Sequence, residues 1–148
     1  MSDSLTSLIE RERCLLKDSG SLTWSDGELS ECLHQALDDL NQAAGQTWSL
    51  VGLDGALSTD LPPGLASLLV RGAAAYALFL LAVNRADLFN FQPGVCQAYT
   101  NAGLAFLKQF HNGLSFLAQM RTSGLQSAAD APYPTSVEEQ PSGWRFDE

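Results

Sequence analysis

Apolar residues recur every three or four positions between residues 26 and 43, the spacing of one helical face. Ser25 and Glu28 have the spacing of a capping box, and Trp24 and Leu29 have that of a hydrophobic staple. The pattern therefore predicts an amphipathic helix with a fixed entry angle. Its core face is predicted to contain Leu29, Cys32, Leu33, Ala36, Leu37 and Leu40.

A shorter helix is predicted before it, from about residue 4 to residue 17, and the stretch "KDSGSLT" ends it. Its core face is predicted to contain Leu5, Leu8, Ile9, Leu15 and Leu16. Its outer face is predicted to carry Glu10, Arg11, Arg13 and Lys17. The segment after the second helix, "GQTWSLVGLDGALSTDLP", has short apolar runs on either side of "GLDG". It fits a small hairpin or an extended loop equally well.

Asp60, Pro62 and Pro63 form a good helix start. The run from residue 65 to residue 83 that follows has 19 residues, with Arg71 as its only charge. That length approaches a membrane span. Arg71 interrupts the run and "GAAA" lowers its hydrophobicity, so a buried central helix is the favoured interpretation. Its small residues would allow another helix to approach closely.

The fourth helix is predicted from Pro93 to about Thr122, roughly 43 Å at ~1.5 Å per residue, with Gly124 terminating it. Its apolar stripe is Val95, Tyr99, Ala102, Phe106, Phe110, Leu114, Leu117 and Met120. Residues 123–148 lack helical periodicity and contain three prolines. The chain is thus predicted to be an all-α four-helix domain over residues 1–122 with an extended C-terminal arm over 123–148.

Charge narrows the range of partners. Eight basic residues against 17 acidic ones give a net charge of -9, and the basic residues form no run. Binding to a phosphate backbone depends on Lys and Arg, so the chain is not expected to grip nucleic acid, although DNA could pass beside it. The opening "MSDSLTSLIERER" does not fit a signal peptide. We expect synthesis in a cytosol, with Cys14, Cys32 and Cys96 as reduced core residues.

Catalytic and metal-binding patterns are weak. "ECLH" places Glu31 three residues before His34, as in di-metal helical bundles, but that chemistry needs a second such motif, and Lys108 stands three residues before His111. Glu31 and His34 are expected to face solvent. There is no Gly-x-Ser-x-Gly elbow and no glycine-rich phosphate loop. The prediction is a non-enzymatic protein with no catalytic residue, no cofactor and no metal.

The order of the elements resembles the head-tail adaptor (connector or neck) proteins of tailed double-stranded DNA bacteriophages. The resemblance covers residues 1 to about 120. It rests on a helix start "W-S-D-x-E-L", a helix end "A-L-x-D-L", a linker closing on "D-L-P" and a small-residue helix "LLVRGAAAYAL". In this chain these pieces are Trp24–Leu29, Ala36–Leu40, Asp60–Pro62 and Leu68–Leu78.

The resemblance implies a homo-oligomer, a ring of about twelve copies beneath the portal protein. The ring would extend the DNA channel without binding DNA specifically and would seat the next neck or tail protein. The chain would be made in the host cytoplasm and located in the virion neck, not in a membrane. Candidate assembly residues are Arg71, Gly72, Ala73, Ala74, Tyr133, Trp144 and Phe146. The alternatives are a free cytosolic helical-bundle protein, dimeric and regulatory, and a small membrane-acting protein.

Overall fold

A computed structural model of the chain describes residues 3–86 and 93–129. A single parallel bridge between Ser4 and Val51 is the only β pairing in these two ranges, so the all-α prediction is confirmed. A 3-10 turn, Pro63–Leu65, leads into the third helix. The α-helices of the described residues are α1 (Leu5–Leu16), α2 (Asp26–Ala44), α3 (Ala66–Ala86) and α4 (Pro93–Ala129).

The start of α2 has the predicted capping box. Ser25 Oγ accepts the Glu28 N–H at 3.2 Å, and the Glu28 carboxylate accepts the Ser25 N–H at 2.8 Å. Trp24 is buried, and its indole N–H donates to the Ala77 carbonyl at 3.0 Å, which attaches the start of α2 to α3. All six residues of the predicted core face of α2 are buried.

The loop between α2 and α3 has no paired strands, so it is not a hairpin, and it folds through turns between Leu50 and Ala56. The Asn41 side chain accepts the Trp48 N–H at 2.8 Å and donates to the Trp48 carbonyl at 3.1 Å. Asp60 accepts the Ser49 N–H at 2.6 Å, and this bond, outweighing desolvation, lowers the pKa of Asp60. Three leucines of the loop reach the core: Leu50, Leu53 and Leu61.

The predicted faces of α1 need correction. Arg13, assigned to the outer face, is buried, as is its neighbour Glu12. Leu15, assigned to the core, is 40% exposed, and Cys14 is also exposed, so it is not a core residue. The residues that point inward follow the spacing Leu8, Ile9, Glu12, Arg13.

Helix α3 is the centre of the bundle and contacts α1, α2 and α4. Among the described residues, one helical stretch, Pro63–Arg85, is long enough and apolar enough to cross a membrane. However, 61% of its most apolar window is buried within the chain. Core helices of soluble proteins have the same property, so this feature is weak evidence for a membrane span.

Helix α4 has 37 residues, about 55 Å at ~1.5 Å per residue. The predicted end at Thr122 was wrong, because the helix continues through Gly124 to Ala129. A glycine inside a helix costs only about 1 kcal/mol, which the Leu, Gln and Ala residues around it offset. The first seven residues of the predicted arm are therefore helical. The remainder, with Tyr133, Trp144 and Phe146, lies outside the described residues.

Candidate assembly interface

Gly72 of α3 lies against α4, and the neighbouring small residues are buried. A Cβ atom added at Gly72 would be 2.7 Å from carbons of the Phe110 ring. Ala73 and Ala74 are 0% exposed. The predicted close helix approach is confirmed at Gly72, and its partner there is the chain's own α4. As assembly candidates, Gly72, Ala73 and Ala74 need correction, since they are not exposed to a neighbouring subunit.

Three glycine contacts fix the register of α3 and α4. Gly72 faces Phe110, Gly103 faces Phe79, and Gly113 faces Leu68. Residue numbers rise along one helix as they fall along the other, so the pair is antiparallel. Position 116 then lies beside the start of α3. The 13 or so later residues of α4 extend roughly 20 Å beyond it.

The extension of α4 beyond α3 is only partly covered. The Arg121 guanidinium lies against Gly45 at the end of α2. Positions 121 to 124 are nevertheless exposed. Phe116 is 61% exposed and Met120 is 58% exposed, and their spacing of four residues places them on the same side of the helix. We call Phe116 and Met120 the α4 apolar pair. Leu104, 51% exposed, lies about 120° around the helix from Phe116.

A second surface feature is a groove of about 510 Å³ between α1 and α3, which we call the α1/α3 groove. Arg11 lines it from α1 and donates to Ser67 Oγ across the groove at 3.1 Å. Arg71, the remaining candidate among the described residues, is exposed and lines the groove from α3. Leu15 adds exposed apolar surface, and Val70 lies buried beneath the groove.

Arg13 joins α1 to the start of α2. Its Nη1 donates to Asp18 Oδ2 at 2.9 Å and to the Trp24 carbonyl at 3.0 Å, and its Nη2 contacts Asp26 Oδ1 at 2.5 Å. Burial opposes ionisation of Asp18. Backbone N–H donors, led by that of Trp24, and the charge of Arg13 more than compensate and lower its pKa. Sequence reasoning missed this cluster, although positions 8, 9, 12 and 13 already have core-face spacing.

Glu12 is fully buried, and neither carboxylate oxygen has a hydrogen-bond partner among the described residues. Burial raises the pKa of Glu12 to about 8, although the charge of Arg13 acts in the opposite direction. Burial, followed by nearby carboxylates including Glu12, raises the pKa of the Cys32 thiol to about 12. At neutral pH both groups are therefore protonated.

The two polar residues of the "ECLH" motif, Glu31 and His34, have different surroundings. Glu31 is exposed. His34 was predicted to face solvent, but it is half-buried beside the loop, with Nε2 3.1 Å from Asp54 Oδ2 and 3.9 Å from Asp38 Oδ2. Residues 3–86 and 93–129 contain no group of three or more His, Cys, Asp or Glu side chains that could hold a metal ion. The geometry gives His34 a role in holding the loop against α2.

Comparison with known proteins adds no family. No protein-family model matches the chain, and no curated protein or solved structure matches it. The resemblance to head-tail adaptors therefore rests on the order and the patterning of the helices alone.

Proposed function

We propose that the chain is a structural virion subunit, a head-tail adaptor that forms a ring beneath the portal, extends the DNA channel and seats the next neck or tail protein. The observation that carries the proposal is the extension of α4 past α3, with the α4 apolar pair exposed where this extension begins. The helix order described above supports the same assignment.

The α4 apolar pair is suited to contact another chain. Burying a large apolar side chain is worth about 1.5–3 kcal/mol. Phe116 and Met120 leave most of that free energy unused in the isolated subunit. A contact repeated around a ring gains from multivalency, so a modest contribution from each copy is sufficient. A closed ring also needs a fixed subunit shape, which the buried Arg13 cluster favours by fixing α1 relative to α2.

Net charge sets the conditions of assembly. Each copy carries -9, so free copies repel one another, and a portal template would be needed to bring them together. The same acidity would keep DNA moving through the channel because it repels phosphates. The proposed place of action is the virion neck, after synthesis in the host cytoplasm.

The second candidate is a free cytosolic dimer. The α4 apolar pair favours it too, since two copies could bury these side chains against each other in a two-fold contact. The two functions differ in the partner, because only the adaptor needs the portal.

The test is to mix the chain with the portal protein of the same virion and measure the products by native mass spectrometry and electron microscopy. We expect a ring of about twelve copies on the portal. Phe116→Ser combined with Met120→Ser should abolish it, whereas Leu104→Ser, an equally exposed leucine on another side of α4, should not. A dimer that does not bind the portal protein would support the second candidate instead.

A further inference from the structure

We propose that the α1/α3 groove of one subunit binds residues 138–148 of a second copy. This inference rests on the proposed function, because it names the joint between neighbouring subunits in the ring. It draws on a different surface from the α4 apolar pair, so the two can be tested separately.

The groove combines positive charge with apolar surface. Two of the chain's eight basic residues, Arg11 and Arg71, line it. Within the described part of the chain, no carboxylate forms an ion pair with Arg71, and the ion pair of Arg11 with Asp3 is long at 4.0 Å. Glu10 is the acidic residue of the lining. In a chain of net charge -9, such a site favours an acidic partner that also carries apolar groups.

The segment "EEQPSGWRFDE" has that chemistry. It contains four carboxylates, at Glu138, Glu139, Asp147 and Glu148, against the single cation Arg145. Two large aromatic residues, Trp144 and Phe146, lie between the carboxylates. Guanidinium groups bind carboxylates through paired, charge-assisted hydrogen bonds. Aromatic rings also pack on guanidinium planes and on apolar surface. Trp144 and Phe146 could therefore pack on Leu15, which is 40% exposed, while the acids meet Arg11 and Arg71.

Ser67 and Arg71, which line the groove, lie near the start of α3, the end beyond which α4 extends. The ring of the proposed function needs a joint between copies, so we assign the segment to a second copy. In the described structure α4 contacts α2 and α3 but not α1, so α3 lies between α4 and the groove. Ala129, the last described residue of α4, lies beyond the start of α3. The 19 residues from 130 to 148 can span roughly 60 Å when extended. A groove on one surface and a ligand on another make a heterologous contact, the type that closes rings.

Cys14 allows a direct test because it is exposed and lines the groove. In the full chain carrying Cys96→Ser, Ser142→Cys would place a second thiol within the segment. A short bismaleimide reagent should then link Cys14 of one copy to position 142 of another and give covalent dimers and larger ladders on a denaturing gel. Ser123→Cys, an exposed position on α4, is the matched control and should link far less.

Charge reversal tests the chemistry. Arg11→Glu with Arg71→Glu should reduce cross-linking at least tenfold, while Arg85→Glu with Lys108→Glu, the same charge change away from the groove, should leave it intact. Asp147→Lys with Glu148→Lys leaves the groove untouched and should also reduce the linkage. Circular dichroism would show that each variant is folded. Cross-linking is measured with and without the portal.

Several outcomes would overturn the groove proposal: equal linkage after charge reversal in the groove, a link confined to single chains, or no linkage in either condition. Two other results distinguish failure of the groove proposal from failure of the proposed adaptor function. Portal-bound rings formed by the Arg11→Glu, Arg71→Glu chain would mean that the joint lies elsewhere while the adaptor function holds. Intermolecular links without any ring on the portal would mean that the groove self-associates but the chain is not an adaptor.

Discussion

At the scale of single residues, the buried Glu12 makes the stability of the fold fall as pH rises between about 4.5 and 8. The folded pKa is about 8 against an ordinary value of 4.5, so the folded chain keeps a proton that the unfolded chain releases above pH 4.5. The contribution of Glu12 is complete below pH 4.5 and is lost as pH rises toward 8. Each pH unit in that interval lowers the free energy of unfolding by up to about 1.4 kcal/mol.

Glu12→Gln should remove this dependence, because glutamine has a similar shape and no charge. We expect the variant to be more stable than the parent at pH 8 and the difference to shrink toward pH 5. Urea unfolding at several pH values measures it. Glu10→Gln, an exposed neighbour on the same helix, is the control and should change little at any pH. A constant difference across that range would contradict the assignment.

Substitution of Arg13 tests the contact between α1 and the start of α2. Arg13→Met removes a buried cation and leaves Asp18, equally buried, without its ion pair, so we expect a loss of about 3–5 kcal/mol in the free energy of unfolding. Arg11→Met is the matched control. Its ion pair is exposed and 4.0 Å long, so the loss should stay below about 1 kcal/mol. Similar losses for the two variants would show that the Arg13 cluster does not stabilise the fold.

Glu12 and Arg13 also show which features of the fold the sequence pattern could not predict. The capping box at Ser25 and the core face of α2 follow from local spacing, and the structure has both. Glu12 and Arg13 have core spacing too, but residue type assigned Arg13 to the surface. Only the fold brings Asp18 and Asp26 to the same guanidinium. A buried charge depends on tertiary partners, and local patterns do not contain them.

At the scale of helices, the contact between α3 and α4 depends on the absence of a side chain at Gly72. Gly72→Ala adds a methyl group 2.7 Å from the Phe110 ring, so overpacking of about 1–3 kcal/mol should outweigh the gain in helix propensity. Gly124→Ala, within α4 and with nothing within 4 Å of the added carbon, should be neutral or slightly stabilising. Thermal unfolding compares them. Stabilisation by Gly72→Ala would mean that the Phe110 ring makes room for the methyl group and that the contact does not depend on the absence of a side chain.

The helix ends were harder to predict than the helices. Gly124 is a common type of helix terminator, yet α4 passes through it, since a glycine stops a helix only where the following residues favour another conformation. The groove between α1 and α3 was also beyond the sequence. Its arginines are 60 positions apart, and only the packing of α1 on α3 brings them together.

At the scale of the whole molecule, the described core and the C-terminal arm are predicted to have separate roles. The buried hydrophobic cluster lies within residues 3–86 and 93–129 and includes Trp24, Leu69 and Phe110. A chain ending at Ala129 keeps all of these residues. The measured property that should change on removing the arm is therefore attachment and not folding.

The last prediction compares two truncated chains, one ending at Ala129 and one ending at Gly143. Both should keep the helical circular dichroism signal, and the free energy of unfolding should stay within about 1 kcal/mol of the full chain, because no described core contact is lost. Both should fail to form rings on the portal, since Trp144 and Phe146 are absent from each, and each anchor is worth about 1.5–3 kcal/mol before ordering costs. If only the shorter chain fails, Tyr133 and its neighbours form the joint. If both unfold, the arm belongs to the core, and normal rings from both would leave the arm without a role in assembly.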